Sequence, residues 1–327
     1  MSDNPIYAYY QQIQDGTVNV CKWTRLIYER IIQGLESGLY FYSHKKTKAA
    51  VLFIEQFCHH HEGHLAPGRV KLELWQKATL AVIFGILDAD GLRQFREVFL
   101  VVARKNGKTL FAAAIAEYCT FLDGEYGGRI YFAAPKLEQA ALCFEAYHQM
   151  ILQEPELDAM AQKRRTDIYI AQNNTTAKPL AFSAKKSDGL NISLAIADEI
   201  ASWQGDQGLK FYEVIKSSFG ARRQPLLLAM STAGYVNDGK FDELMKEMME
   251  IEPSITMAET EGAKEIKLPE DGFSIAYNDS RIVVAYGQNQ YAVSLVNQKA
   301  SESMLAHPNF AEFAANDKDA SLFMDYG

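Results

Sequence analysis

The chain is poor in cysteine. Cys21, Cys58, Cys119 and Cys143 are scattered through 327 residues with no Cys-x-x-Cys pair. That spacing excludes a disulfide-built secreted domain and reads as reduced, mostly buried thiols of a cytosolic protein. No apolar run approaches the ~18 residues that a membrane-spanning helix needs. Met1-Ser2-Asp3-Asn4-Pro5 lacks the basic and apolar regions of a signal peptide, so no leader is expected. Seven His residues are too few to suggest several metal sites. Excess positive charge is also missing: the net charge is −8, and from Ile251 onward five Lys/Arg face twelve Asp/Glu. The body before Ile251 is therefore nearly neutral and has room for a local basic patch, whereas the acidic tail is unsuited to a polyanion.

What is present suits a large folded domain. Apolar residues make up 48% of the chain, enough to bury a core, and the length fits one large α/β domain plus a smaller piece. The chain is organised around Val98 to Thr109. The apolar run Val98-Phe99-Leu100-Val101-Val102-Ala103 ends in Arg104-Lys105-Asn106-Gly107-Lys108-Thr109, and Leu110 to Tyr118 reads as a helix. Strand, phosphate loop and helix follow in the order a P-loop needs. There, backbone N–H groups of the loop and helix start point at phosphate oxygens. Lys108 would set a positive charge on the β- and γ-phosphates, and the Thr109 hydroxyl would ligate Mg²⁺. The full pattern asks for Gly five residues before Gly107, where Val102 stands.

Two further strands complete the constellation. Leu194-Ala195-Ile196-Ala197 ends in Asp198-Glu199, as a Walker B strand does. Asp198 would hold Mg²⁺, directly or through water, and Glu199 would polarise the attacking water. Pro225 to Met230 is another buried-strand run, and it ends in Ser231-Thr232-Ala233-Gly234. A hydroxyl pair at that strand end is placed to sense hydrolysis beside the γ-phosphate.

Around this set, residues 6–57 have apolar side chains at helical spacing. His60 and His64 are four apart, as two metal ligands on one helix face would be, but Gly63 intervenes and a polar loop is the plainer reading. Leu72-Glu73-Leu74-Trp75-Gln76 opens a helix running to about Ile86. The Gln76 amide suits adenine N6 and N7, and Trp75 packs on the base or on the core. Gly128 to Pro135 reads as a strand and turn, Lys136 to Gln149 as a helix, Ile168 to Ile170 and Pro179 to Phe182 as strands, and Phe211 to Phe219 as a helix. Lys163-Arg164-Arg165 and Lys185-Lys186 are either solvated loops or phosphate contacts. Arg222 and Arg223 are each candidates for an arginine finger. Alternating strands and helices with functional residues at strand C-termini predict an open, mostly parallel sheet flanked by helices.

Taken together, these motifs resemble the large subunit of tailed-phage terminases, the ATP-driven motors that package DNA into procapsids. Leu74-Trp75-Gln76 looks like that family's adenine motif. Phe84-Gly85 and Arg104 to Thr109 are similar to its departed Walker A, which accounts for Val102. Asp123-Gly124-Glu125, Ala133-Ala134-Pro135 and Gln139-Ala140 resemble its next strand and helix. Asp188-Gly189-Leu190 with Asp198-Glu199 looks like its Walker B region, and Thr232-Ala233-Gly234 like its coupling motif. The likeness runs from about Phe53 to Met249.

The resemblance implies a P-loop, RecA/ASCE-like fold at 71–250; around it the residues themselves predict a helical lead at 1–70 and a small α+β C-terminal segment at 251–327. It implies ATP contacts by Trp75, Gln76, Arg104, Lys105, Asn106, Gly107, Lys108 and Thr109. Mg²⁺ falls to Thr109 and Asp198, catalysis to Glu199 with Lys108 and Arg104, and coupling to Ser231 and Thr232. It also implies double-stranded DNA, a homo-oligomeric ring, a terminase small subunit and a portal as partners, in the cytoplasm of an infected or prophage-carrying bacterium and with no membrane. Family members normally continue into a ribonuclease-H-like nuclease. The 77 residues from Ile251 lack a strand-borne acid pair, so no competent nuclease is expected here; they suggest instead a small meander at Phe273–Tyr277, Arg281–Tyr286 and Tyr291–Val296, with turns at Asp271-Gly272 and Gly287-Gln288-Asn289. The competing readings are a helicase-like DNA translocase and a nucleotide-binding assembly protein without turnover.

Overall fold

A computed structural model describes residues 4–182, 190–232 and 239–250, together with two isolated strand pairs farther on. The lead is helical, as its spacing predicts: α1 (Pro5–Gln14), α2 (Lys22–Glu36) and α3 (His44–Phe57). The Asn4 side chain accepts the Ile6 N–H at 3.0 Å, and Pro5 occupies the first helical position, where its missing N–H is harmless. Ser43 opens α3 in the same manner, through the Lys46 N–H. One strand interrupts this helical stretch: β1 (Phe41–Tyr42) pairs antiparallel with β2 (Ile86–Leu87). Between them in sequence lies α4 (Leu74–Leu80), which continues into a π-helical turn at Ala81–Gly85. Gly85 is needed in that turn, since a Cβ there would collide with Thr47 Oγ1.

The central layer follows. In chain order it comprises β3 (Glu97–Val101), α5 (Lys108–Phe121), β4 (Arg129–Ala134), α6 (Leu137–Leu152), α7 (Pro155–Asp158), β5 (Ala161–Lys163), β6 (Ile168–Ile170), β7 (Thr175–Ala181), β8 (Leu194–Ala197), α8 (Gly205–Ser217), β9 (Leu226–Ser231) and α9 (Lys240–Glu250). The seven strands lie in the order β3-β9-β8-β4-β7-β6-β5. The first five are mutually parallel, and β6 and β5 close one edge antiparallel. Every residue of β8 and β9 is buried, which is why their sequences run apolar without alternation: helices cover both faces. Successive residues still part by face. Ile196, Leu228 and Phe132 join Phe111 and Ile115 of α5 on one side. Ala195, Leu227 and Ala133 join Phe211 and Tyr212 of α8 on the other.

Several elements differ from the sequence reading. β7 begins four residues before the predicted Pro179. It tolerates proline because Thr176 donates to Gly128 O, so odd-numbered residues face away from β4, and β6 ends its pairing at Ala177. Helix α8 starts at Gly205 rather than Phe211. Helix α9 and strand β5 were not anticipated. Beyond α9, β10 (Ala258–Thr260) pairs with β11 (Ala263–Glu265), and β12 (Ile282–Gly287) with β13 (Gln290–Leu295), both antiparallel. The second pair matches two strands of the expected meander. The third, at Phe273–Tyr277, lies outside the described residues, as do Asp271-Gly272, Gln288-Asn289, Lys185-Lys186, Asp188-Gly189 and Ala233-Gly234. Among the described residues no helix is long and apolar enough to cross a membrane.

Candidate functional site

The site forms where β3, β9 and β8 end side by side. The chain leaves β3 with Val102 donating to Ser231 O at 3.0 Å, one residue beyond the strand. The loop then turns tightly. Lys105 and Gly107 both take left-handed backbone angles, φ 66° and 73°. The Asn106 side chain ties the turn by donating to Ala103 O at 3.3 Å. Gly107 precedes α5 and supplies no side-chain cap, so the first N–H groups of a 14-residue helix stay open to an acceptor. Arg104 and Lys105 are exposed at the loop tip, while Lys108 and Thr109 are half-buried in the first turn of the helix.

The acids meet Lys108 directly. Its Nζ lies 2.8 Å from Asp198 Oδ1 and 2.7 Å from Glu199 Oε2. Asp198 extends β8 by donating its N–H to Ala133 O at 3.1 Å. Glu199 then turns left-handed at φ 50°, a costly conformation for a residue with a side chain. The surroundings hold it there. Its N–H donates to Asp198 Oδ1 at 2.9 Å, and Ser202 Oγ donates to its carbonyl at 2.7 Å. Trp203, fully buried, donates from Nε1 to Asp198 O at 3.0 Å. From β9, Thr232 Oγ1 donates to Glu199 Oε1 at 2.8 Å and Ser231 Oγ at 3.4 Å, while Ser231 Oγ also accepts the Ala201 N–H. Burial works to raise the Glu199 carboxyl, but the Lys108 ammonium and the Thr232 bonds hold it below the usual carboxylate range. Burial likewise opposes the charge on Lys108, and the two acids override it, raising its pKa. Nothing in the sequence Ala201-Ser202-Trp203-Gln204, which follows the paired acids, signals that the Trp203 indole holds the Asp198 carbonyl.

The donor set fits a magnesium nucleotide. Open N–H groups and one ammonium suit phosphate oxygens, and one hydroxyl with one carboxylate suits a hard cation that keeps most of its ligands from phosphate and water. A cavity of about 580 Å³ adjoins the loop, lined by Ala103 and Asn106 together with Trp75, Gln76, Tyr28 and the outer edge of β3. Gln76 is buried, and its Oε1 accepts the Glu73 N–H at 2.9 Å. Trp75 both lines the cavity and packs edge-on against Phe111 at 5.6 Å.

Other candidates are not part of this site. His59 bonds Pro67 O and Glu154, and among the described residues no three His, Cys, Asp or Glu side chains form a metal-holding group, so the His60/His64 idea is set aside. Arg222 is no free finger: it donates to Gly127 O at 2.6 Å and to Asn191 O at 3.2 Å and pairs with Glu125, ahead of the opposite end of β9. Arg223 is exposed at that same end. Lys163 lies over the Phe144 ring and Arg164 over the Tyr169 ring, at the β5–β6 turn across the sheet from the loop.

Residues 74–250 match the family described as terminase large subunit, ATPase domain. The terminase large subunit of Enterobacteria phage HK97 is 29% identical over 190 residues, covering 57% of this chain and 36% of that protein. The crystal structure of the HK97 bacteriophage large terminase matches with a TM-score of 0.53 at 25% identity, covering 63% of this chain and 41% of its own. This chain therefore spans well under half the length of these relatives. The mostly parallel sheet with helices on both faces is the RecA/ASCE-like fold expected from the sequence.

Proposed function

We propose a function on one premise: the chain belongs to the terminase large subunit family, through its ATPase domain at residues 74–250. On that premise it is a Mg²⁺-dependent ATP hydrolase that drives double-stranded DNA into a procapsid. The observation that carries the reading is Lys108, held 2.8 and 2.7 Å from the carboxylates of Asp198 and Glu199 at adjoining strand ends.

Each residue has a distinct task. The open N–H groups after Gly107 bind phosphate oxygens, and Lys108 exchanges its two carboxylates for the β- and γ-phosphates. Thr109 and Asp198 would hold Mg²⁺, which neutralises charge on the phosphates when bound. Glu199, released by Lys108, takes a hydrogen bond from the attacking water and draws its proton. Thr232 and Ser231 hold the other carboxylate oxygen of Glu199, Oε1, so a change at the γ-phosphate reaches the end of β9. Arg104 and Lys105 supply mobile positive charge at the loop tip. Gln76 and Trp75 lie on the base side.

We extend the reading to the assembly: residues 1–70 as a packing layer, 71–250 as the motor, 251–327 as a segment without assigned role, a homo-oligomeric ring on DNA, and a small subunit and portal as partners in the bacterial cytoplasm. The basic side chains at the β5–β6 turn suit phosphate contacts with the duplex. The test is phosphate release with and without Mg²⁺ and duplex DNA. Turnover that needs Mg²⁺ and rises with DNA supports the motor. An absence of ATP binding refutes the site.

A further inference from the structure

Strand β3 has one edge whose hydrogen-bonding groups are not met. It is the first strand of the sheet, and its one partner among the described residues is β9. Leu227 N–H donates to Arg96 O at 2.8 Å, and Val102 N–H donates to Ser231 O at 3.0 Å. Alternate residues of a strand turn their main-chain groups to the same side, so Val98, Leu100 and Val102 serve β9. The N–H and C=O groups of Phe99 and Val101 turn to the open side, where among the described residues they have no hydrogen-bond partner. That side lines the cavity, together with Trp23 and Tyr28 of α2, Ile83, and Met245 of α9. No charge or proline guards the edge from Val98 to Ala103. Both faces of β3 are covered: Val98 and Leu100 pack with the Phe111 side of the core, Phe99 and Val101 with the Phe241 side. A strand added here would be covered on both faces too, and such strands read apolar without alternation, as β8 and β9 do.

The chain supplies one. Helix α9 brings Met245 to the cavity wall, and 77 residues follow its end at Glu250. Within them β12 reads Ile282-Val283-Val284-Ala285-Tyr286-Gly287, apolar throughout. Its partner β13 alternates Gln290, Ala292 and Ser294 with Tyr291, Val293 and Leu295, the pattern of an outer strand. From Ile282 to Leu295 there is no charged residue, in a tail whose balance is acidic. The two strands form a sheet of their own, and a lone two-stranded ribbon is at best marginally stable in water. Reach is no obstacle, since residues 251–281 could extend to ~100 Å at ~3.3 Å per residue.

We propose that the open edge of β3 is the docking site for the chain's own C-terminal hairpin, with β12 along β3 and β13 outermost. The main-chain groups of Phe99 and Val101 then pair with β12, and the free edge of β12 is buried at the same time. The hairpin braces the strand that leads into the phosphate loop, while Ala103 and Asn106, beyond the end of β3, are left to the nucleotide. Docking does not depend on what the loop binds.

The test is amide-resolved hydrogen exchange, with amide–amide NOE measurement, on the full chain, native and carrying Val284→Pro or Val283→Asp. The proline removes a donor from β12, and the aspartate puts a charge into a strand covered on both faces. In the native chain the Phe99 and Val101 amides should exchange as slowly as those of Leu100 and Val102, and NOEs should join Phe99 or Val101 to β12. In either variant Phe99 and Val101 should exchange about tenfold faster, with Leu100 and Val102, held by β9, unchanged. Alternate amides of one strand thus serve as each other's control. Native Phe99 and Val101 amides that exchange freely, or a native chain without NOEs to β12, overturn the proposal whether or not the variants fold. Protection that both variants retain, or that disappears on dilution, assigns the edge to another segment or to a second copy and overturns it as well.

Discussion

Glu199→Gln separates binding from hydrolysis at the lysine-carboxylate contact. The substitution keeps shape, and the Gln oxygen still accepts from Thr232. Its amide nitrogen, however, then faces Lys108 Nζ, donor against donor, and Lys108 is left with Asp198 alone. The native contact is 2.7 Å, with the Glu199 side chain 41% exposed. At an effective dielectric constant near ~20 the gross attraction is several kcal/mol, but that exposure screens it to a net of about 1 kcal/mol. On the proposed site, ATP displaces this contact when it takes Lys108. Its removal should therefore tighten Mg·ATP binding about fivefold. Loss of the proposed general base should at the same time slow hydrolysis by about 10²–10⁴-fold. Equilibrium titration with a fluorescent ATP analogue measures the first effect, and phosphate release in the presence of duplex DNA measures the second. ATP binding weakened in Glu199→Gln, or phosphate release within a factor of two of native, would refute the reasoning.

Other outcomes follow from the same geometry. Thr232→Val removes a 2.8 Å bond to the Glu199 carboxylate while keeping volume, so kcat should fall about tenfold with ATP affinity unchanged; a matching loss of affinity would contradict a role confined to orienting Glu199. Arg222→Ala removes a guanidinium tied to three backbone carbonyls and Glu125 and should cost about 3 kcal/mol of stability by denaturant unfolding, whereas Arg223→Ala should cost almost nothing. Glu117 is fully buried, accepts from the Cys58 thiol at 3.0 Å and leaves Oε1 without a partner, and burial pushes its carboxyl well above the usual range. The folded state thus keeps a proton that the unfolded state gives up near pH ~4.5. Stability falls as pH rises above that value, by about 1.4 kcal/mol per unit until the folded group titrates. Glu117→Gln should abolish that slope and melt higher than native at pH 8 but not at pH 4, and parallel slopes in the two proteins would show that Glu117 is ionised in the fold.

Much of the site was legible because its chemistry is local in sequence. Lys108 and Thr109 follow a strand and open a helix, and Asp198 and Glu199 end an apolar run. Each pairing of strand and polar end can be read without knowing its neighbours. The buried strands were legible for a related reason: β8 and β9, covered on both faces, have to be continuously apolar. Strand β5 and helix α9 escaped because the first is three residues long with a polar sequence and the second is rich in charge. Their places are set by what they pack against. The start of α8 at Gly205 has the same origin, since Gly208 lies where a Cβ would press on the Trp203 backbone.

The sequence by itself determined which groups this protein can bring to a phosphate, because a side chain's charge and hydrogen-bonding capacity belong to the residue. It also determined an α/β layering, because the spacing of apolar residues decides which faces must leave water. Tertiary structure alone decided the order of the strands, and with it the insertion of β9 between β3 and β8 that places Thr232 against Glu199. It decided that Arg222 is bound to backbone carbonyls and that Gln76 Oε1 is held by the Glu73 N–H. These are contacts between residues far apart in the chain or turned by a local backbone bond. Their energies depend on distances of a few ångströms that no pattern of residue types encodes, and the fold sets those distances by packing the whole core at once.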